Sequence, residues 1–587
     1  MDEGSNAAPA EVGALFSPTS IGGVTIRNRV VLAPMTTRLA DGEGHTTAAL
    51  SAYYRARVRG GVGLITVEMA SPELSGKHRF GELGIYDDAF LPDLRRLVSE
   101  LRSEGPDVRL SIQLGHAGSR SRRAVSGRTP VAPSAIPTSV FEIERETQTP
   151  QEMTPQRIEE ATVAFVAAAR RARDTGFDLV ELHAAHGYLI SQFLTEFENR
   201  RTDDHGGNLH NRARFGLDIL RRIKTELPGF PVIFRIGVED FFPGGMRLAD
   251  GVQVAGWAAE AGADAVSVTA GHYLSLPNAE RMIPPMIYPE GAFLEYAAAV
   301  KKVVDVPVIG VGRLGDPRRA ARAIDDGQAD LIALARPLLA DPDWVNKARA
   351  GIPVRRCLSC NHCVNHMRSG AQISCVVNAE TGRELQFEEA APRRGERVVV
   401  IGAGPAGLSY ASLVAEGNQV VVLERAAQPG GAFRQARKAP RFNDVQAEEA
   451  ALDAYIAELT RDCERLGVEF CYGSDAATER ARLERADRVV VATGARYRGG
   501  LGLIVPRLLE SGLLRSRAGD RIFRSSRLRQ ALYYRLRTAN GRKVAAELGL
   551  DPDKTVVIGD AASAGKAREA VASAFEAALL PRSPTNR

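Results

Sequence analysis

PQRIEEATVAFVAAARRARDTGFDLVELHAAH, residues 155–186, carries two periodicities side by side. Its first part repeats apolar residues at helical spacing and stops at Gly176, the pattern of an amphipathic helix with a C-terminal breaker. Its second part, FDLVELHAAH (177–186), is a short, nearly continuous apolar run, as in a strand covered on both faces. The strand pattern recurs as VVLAPM (30–35), GLITVEMA (63–70), VRLSIQLGH (108–116), FPVIFRIGVED (230–240), ADAVSVTAG (263–271), VPVIGVGR (306–313) and DLIALARPL (330–338). Eight such runs with helical segments between them predict a (β/α)8 TIM barrel over residues 1–350.

In that architecture chemistry collects where strands end. Thr36 follows the first strand, Gln113 lies on the third, His183 and His186 on and after the fourth, and Arg235 on the fifth. Strands seven and eight close with GVGR (310–313) and ALARP (333–337), whose turn amides together with Arg313 and Arg336 suit a phosphate.

Composition bounds the rest. The chain has 587 residues, enough for two or more domains, and its 44% hydrophobic and 25% charged content is that of a globular protein. The N-terminus, MDEGSNAAPAEVGALF, lacks the basic and apolar regions of a signal peptide, and no run of eighteen apolar residues occurs. These features point to the cytoplasm and away from membranes. Net charge is +5 with both signs spread along the chain, which gives no reason to expect nucleic acid. The exception is 512–543, with ten basic residues against one acid: a solvated helical face, or a dock for an acidic partner.

Four of the six cysteines fall in CLSCNHCVNHMRSGAQISC (357–375), at Cys357, Cys360, Cys363 and Cys375. The spacing fits a zinc site, with His362 and His366 as extra ligands, or a [4Fe–4S] cubane; disulfides are disfavoured in a reducing compartment. Residues 351–390 form this segment and a linker. Cys463 and Cys471 are spare and expected to be buried and inert.

From residue 391 a second domain begins. RVVVIGAGPAGLSYASLVAEGNQVVVLER (397–425) is a strand, a G-x-G-x-x-G turn and helix at Gly402, Gly404, Pro405, Ala406 and Gly407, and a strand ending in Glu424 and Arg425. The glycines admit a pyrophosphate to the helix N-terminus, and the acid can bind a ribose.

The block ELHAAHGYLISQFLTEFENRRTDDHGGNLHNRARF (181–215), with APMT (33–36) and QLGHAG (113–118), resembles the old yellow enzyme family across the whole barrel. The resemblance implies a noncovalent FMN. Pro34, Met35, Thr36, Ala70, Gln113 and Arg235 would surround its isoalloxazine, and Gly312, Arg313, Ala335 and Arg336 its phosphate. His183 and His186 would bind a substrate carbonyl oxygen, hydride would pass from flavin N5 to the β-carbon, and Tyr188 would protonate the α-carbon.

A barrel of this kind followed by the cysteine segment and a second flavin domain resembles the 2,4-dienoyl-CoA reductase and trimethylamine dehydrogenase group. That implies a [4Fe–4S] cluster on the four cysteines. It also implies a two-segment FAD domain (391–587) completed by DRVVVATGA (487–495) and KTVVIGDAA (554–562), with Asp560 at the ribityl chain; some relatives hold ADP there. The loop after strand six makes His272 a second candidate proton donor.

Relatives insert a complete NAD(P)-binding domain where this chain has only the arginine-rich 496–553, without a second G-x-G-x-x-G; GGLG (499–502) lacks the last glycine. NAD(P)H would then react directly at the FMN, or an acidic electron-transfer protein would carry the electrons. An ene-reductase acting on a small α,β-unsaturated carbonyl or enoyl substrate is the first expectation. An amine dehydrogenase or N-demethylase is the second, though Trp257 and Trp344 form no aromatic cage for a methylated cation. A homo-oligomer is also expected.

Overall fold

The computed structural model describes residues 8–141, 145–497, 504–531 and 535–580; GGLG and the first residues of the N-terminal stretch lie outside them. The chain divides into two compact units. One takes in the chain to Leu338 with Pro342–Ile352 and Cys363–Ile373; the other takes in Leu339–Asp341, Pro353–His362 and everything from Ser374.

The first unit is the barrel. Its strands are β1 (Val30–Leu32), β2 (Leu64–Ser71), β3 (Arg109–Leu114), β4 (Leu179–Ala184), β5 (Val232–Gly237), β6 (Ala265–Thr269), β7 (Val308–Gly310) and β8 (Leu331–Leu334). All pair in parallel, and β1 bonds both β2 and β8, which closes the sheet. Every residue of β4, β5 and β6 is buried, as their unbroken apolar runs require.

Helix α1 (Pro155–Asp174) shows how the connecting segments form. The Thr154 side chain accepts from the Arg157 N–H, Pro155 takes the first turn, and Ile158, Ala161, Phe165, Val166 and Ala169 face inward at helical spacing. The chain turns off at Gly176, whose φ is +97°. At the barrel's N-terminal end, Ile21 and Ile26 from a hairpin (Thr19–Ile21 with Val24–Ile26) pack on Leu64, Leu179, Ile233, Ala265 and Leu331. That plug leaves the carboxyl end of the barrel for polar side chains.

The second unit has a five-stranded parallel sheet: β9 (Arg397–Ile401), β10 (Gln419–Glu424), β11 (Glu469–Tyr472), β12 (Arg488–Val491) and β13 (Thr555–Val557). Their order is β11-β10-β9-β12-β13, so the direction of winding reverses between β9 and β12, where doubly wound sheets bind nucleotides. The arginine-rich segment forms an antiparallel pair (Ala495–Tyr497 with Arg537–Ala539) and short helices at Ile504–Glu510, Arg517–Phe523 and Ser526–Gln530. It is therefore not one continuous helical face. Cys463 is buried as expected, but Cys471 on β11 is only half-buried, because that strand is the sheet's edge. Among the described residues no helix is long and apolar enough to cross a membrane.

Replacing Ile233, fully buried against the plug, by Ala is expected to cost about 2–5 kcal/mol. Chemical denaturation should show this as a lower midpoint for the barrel.

Candidate active site

The carboxyl ends of β3 to β6 carry a connected polar layer. Gln113 lies beside Glu181, and His183 beside Arg235, in adjacent strand registers. Gln113 Nε2 donates to Glu181 Oε1 at 2.7 Å, and Arg235 Nη1 donates to Ser267 Oγ at 3.2 Å. Arg235 is buried, which lowers its guanidinium, while the nearby Glu181 carboxyl works the other way. Burial raises Glu181 in turn, against Arg235 and Gln113.

The three residues proposed for chemistry come together beside this layer. The His183 and His186 rings are 5.2 Å apart, and the His183 and Tyr188 rings 5.0 Å. Burial, then His186 and Arg235, push His183 well below the ordinary imidazole value. Burial, Arg235 and His272 do the same to His186, so both rings are neutral at pH 7. His183 Nδ1 is buried without a hydrogen-bond partner among the described residues, an atom waiting for a ligand. His186 sits at φ +63°, an uncommon conformation for a side chain of that size, and its Nε2 is 3.2 Å from Thr269 Oγ1.

The Tyr188 hydroxyl has two partners that the sequence did not reveal: His78 Nε2 and Tyr273 Oη, each at 3.1 Å. His78 turns Nδ1 to Glu82 at 2.8 Å, and both groups are buried. Burial alone would raise the Glu82 carboxyl, but the His78 imidazole and Arg79 hold it below its ordinary value. Arg79 Nη2 donates to the Tyr273 hydroxyl at 3.1 Å. The Arg120 and Arg368 guanidinium carbons lie 5.3 and 5.5 Å from the centre of the Tyr273 ring. Burial and the neighbouring Tyr273 push the Tyr188 phenol up. Burial would raise Tyr273 too, yet Arg79 and Arg368 bring it down to about 8. The available signal was the polar KHR run at 77–79, a few residues beyond the end of β2.

His272 does not face Tyr188. It is buried with its Nε2 3.0 Å from Glu198 Oε2, and Arg120 pairs with the other oxygen of Glu198 at 2.9 Å. From that loop Tyr273, its neighbour, is the residue that meets Tyr188.

The residues named for the flavin lie at the carboxyl ends of β1, β2, β7 and β8. Pro34, Met35 and Thr36 are half-buried just past β1, and Ala70 is buried near the end of β2. Gly312 and Arg313 follow β7, and Ala335 and Arg336 follow β8. Arg313 donates to the Met286 carbonyl and Arg336 to that of Pro284, each at 2.9 Å.

In the second unit a cavity of about 1090 Å³ opens at the switch point, lined by Gly402, Gly404, Pro405, Ala406, Glu424, Arg425 and Asp560. Gly402 has φ +112° and a Cβ there would lie 2.6 Å from the Ala492 carbonyl oxygen; at Gly407 a Cβ would meet the Gly402 oxygen at 2.0 Å. Neither position tolerates a side chain. Glu424 accepts from the Ala403 and Ala426 amides, both at 2.8 Å, which fixes its carboxylate at the rim. The arginine-rich segment supplies part of the wall: Tyr497, Leu509, Arg529 and Arg537 line the cavity, and Arg537 pairs with Asp560 at 2.6 Å.

Of the clustered cysteines, Cys360 and Cys363 are buried and Cys357 and Cys375 half-buried. Burial and the nearby sulfurs of Cys357 and Cys360 push the Cys375 thiol up to about 12. Among the described residues no three His, Cys, Asp or Glu side chains converge as ligands of a single metal ion do.

A barrel with this mouth, joined to a dinucleotide-type domain, defines a flavin-dependent oxidoreductase. The model of the NADH:flavin oxidoreductase / NADH oxidase family matches residues 14–355, and the chain belongs to that family. An NAD(P)-binding Rossmann-like domain matches residues 400–451. The chain is 37% identical to the NADH oxidase of Thermoanaerobacter brockii, over 82% of this chain and 73% of the relative. It is 34% identical to an N,N-dimethylglycine/sarcosine dehydrogenase of Chromohalobacter salexigens, over 82% and 69%. It is 33% identical to a cinnamate reductase of Clostridium sporogenes, over 82% and 74%. FMN is the flavin of the barrel in this family.

Glu198 gives a test of the site's support. Burial raises its carboxyl, but Arg120 and His272 bring it down to about 2. A lowered carboxyl contributes stability that is complete above its unfolded value of 4.5 and is lost as pH falls towards 2. Glu198→Gln should cost about 3 kcal/mol at pH 7, and its deficit against the parent should shrink over that acid range in denaturation curves.

Proposed function

We propose that the protein is an ene-reductase that reduces the C=C bond of a small α,β-unsaturated carbonyl or enoyl compound. The observation that carries this is the hydroxyl of Tyr188, hydrogen-bonded and beside two neutral imidazoles. His183 and His186 each offer an N–H to the carbonyl oxygen and so draw electron density from the double bond. Bound FMN supplies the hydride that the β-carbon receives. Tyr188 gives its proton to the α-carbon, and Arg235 places positive charge in the buried layer beside His183. The cinnamate reductase among the relatives supports this direction.

Cys357, Cys360, Cys363 and Cys375 hold a [4Fe–4S] cluster in this proposal, supported by their spacing and by the thiols grouped around Cys375. The large cavity beside Glu424 and Asp560 holds FAD, or ADP in its place. An acidic electron-transfer protein is the carrier: exposed Arg517, Arg521, Arg524 and Arg527 lie on a segment that also exposes Leu513 (67%) and Ile522 (53%).

A second reading is N-methyl amine oxidation. The N,N-dimethylglycine/sarcosine dehydrogenase among the relatives favours it, as does the lack of a second nucleotide fingerprint.

Anaerobic stopped-flow on the holoenzyme separates the two. Flavin bleaching by NADH or NADPH, reversed by an enone or enoyl thioester, is the expected result. Bleaching only by an N-methylated amine, with release of formaldehyde, would replace the first reading by the second. Cys360→Ser should lower iron per chain and the broad cluster absorbance; unchanged iron would remove the cluster from the proposal.

A further inference from the structure

We propose that Tyr273 is the proton reservoir of the site: it hands its hydroxyl proton to Tyr188 as Tyr188 gives its own to the substrate. This deepens the ene-reductase reading and rests on Tyr188 moving a proton.

Tyr188 by itself is a poor acid. Its phenol is buried, and burial disfavours the phenolate that donation leaves behind. Efficient general acids have proton affinities near the working pH, so something must stabilise the charge left on Tyr188 or remove it. Two groups touch that hydroxyl.

The first is His78. Its Nδ1 lies 2.8 Å from the Glu82 carboxylate and its Nε2 faces the Tyr188 hydroxyl, contacts that together fix the ring's orientation. The second is Tyr273, 3.1 Å away, and its surroundings are the opposite of those around Tyr188. Arg79 donates directly to its oxygen. Arg368 lies over its ring and, among the described residues, has no hydrogen-bond or ion-pair partner that would neutralise it. Arg120 lies over the ring as well, but Glu198 balances its charge. Arg79 and Arg368 therefore both face Tyr273, and neither donates to Tyr188.

The Tyr188 O–H bond breaks and a C–H bond forms at the substrate α-carbon. The Tyr273 O–H bond breaks as the Tyr188 O–H bond is remade. Tyr273 is left as a phenolate held by Arg79 and Arg368, and solvent returns its proton. No electrons move in this step. The lowered Tyr273 phenol and raised Tyr188 phenol make the transfer downhill. Run backwards, the same pair would accept a proton.

The experiment is a tyrosinate absorbance titration of the holoenzyme, with the pH profile of turnover beside it. The parent should show one tyrosine ionising near pH 8, absent in Tyr273→Phe and shifted upward in Arg368→Gln. Turnover of the parent should fall above that pH. Tyr273→Phe should turn over about tenfold more slowly at pH 7, with the alkaline fall displaced upward. Arg368→Gln keeps the hydroxyl and should displace the fall without abolishing activity. No tyrosine ionising near pH 8 in the parent, or one that persists in Tyr273→Phe, overturns the proposal. The titration needs no substrate, so it stands or falls separately from the ene-reductase assignment.

Discussion

Burial of charge without water is the constraint on which the barrel mouth depends. Closing eight parallel strands over an apolar plug leaves only the carboxyl ends of the strands for polar groups, and there they are almost all out of solvent. Each must then be answered by a neighbour. Glu181 is answered by Gln113 and Arg235, Glu82 by His78 and Arg79, and Glu198 by Arg120 and His272. Among the groups left over are His183 Nδ1, the Tyr188–Tyr273 hydroxyl pair and the Arg368 cation. What the packing leaves unanswered is what chemistry can use.

The pattern separates support from reaction. The Glu198 set is a closed network, and its role is to hold the loops after β4 and β6 in place. Neutral imidazoles next to a buried arginine can donate hydrogen bonds without carrying charge of their own, which suits them to polarise a carbonyl rather than to exchange protons. The left-handed backbone at His186 turns the chain between its ring and Tyr188, just past His183 at the end of β4.

The second unit obeys a different constraint. Its glycine turn brings backbone within reach of a pyrophosphate only because Gly402 and Gly407 have no Cβ. The arginine-rich segment, which by composition resembled a solvated face, contributes wall to the same cavity through Arg529 and Arg537, while Arg517, Arg521, Arg524 and Arg527 remain exposed. One basic run thus has two environments, and charge content alone could not divide it.

The sequence by itself determined the barrel and the nucleotide domain, and its resemblance to a known family singled out His183, His186 and Tyr188. The barrel and the nucleotide domain rest on local signals: apolar runs of strand length and glycines at fixed offsets. Tertiary structure alone decided who shares those residues' protons. His78, Arg79, Tyr273 and Arg368 come from three separate stretches of chain, and it is the folded barrel that brings them to one hydroxyl pair. It also turned His272 away towards Glu198 and put Tyr273 in its place, since adjacent residues leaving a strand point in opposite directions. Burial, which pushes the Tyr188 phenol up and the His183 and His186 imidazoles down, is a property of the fold and of no single segment.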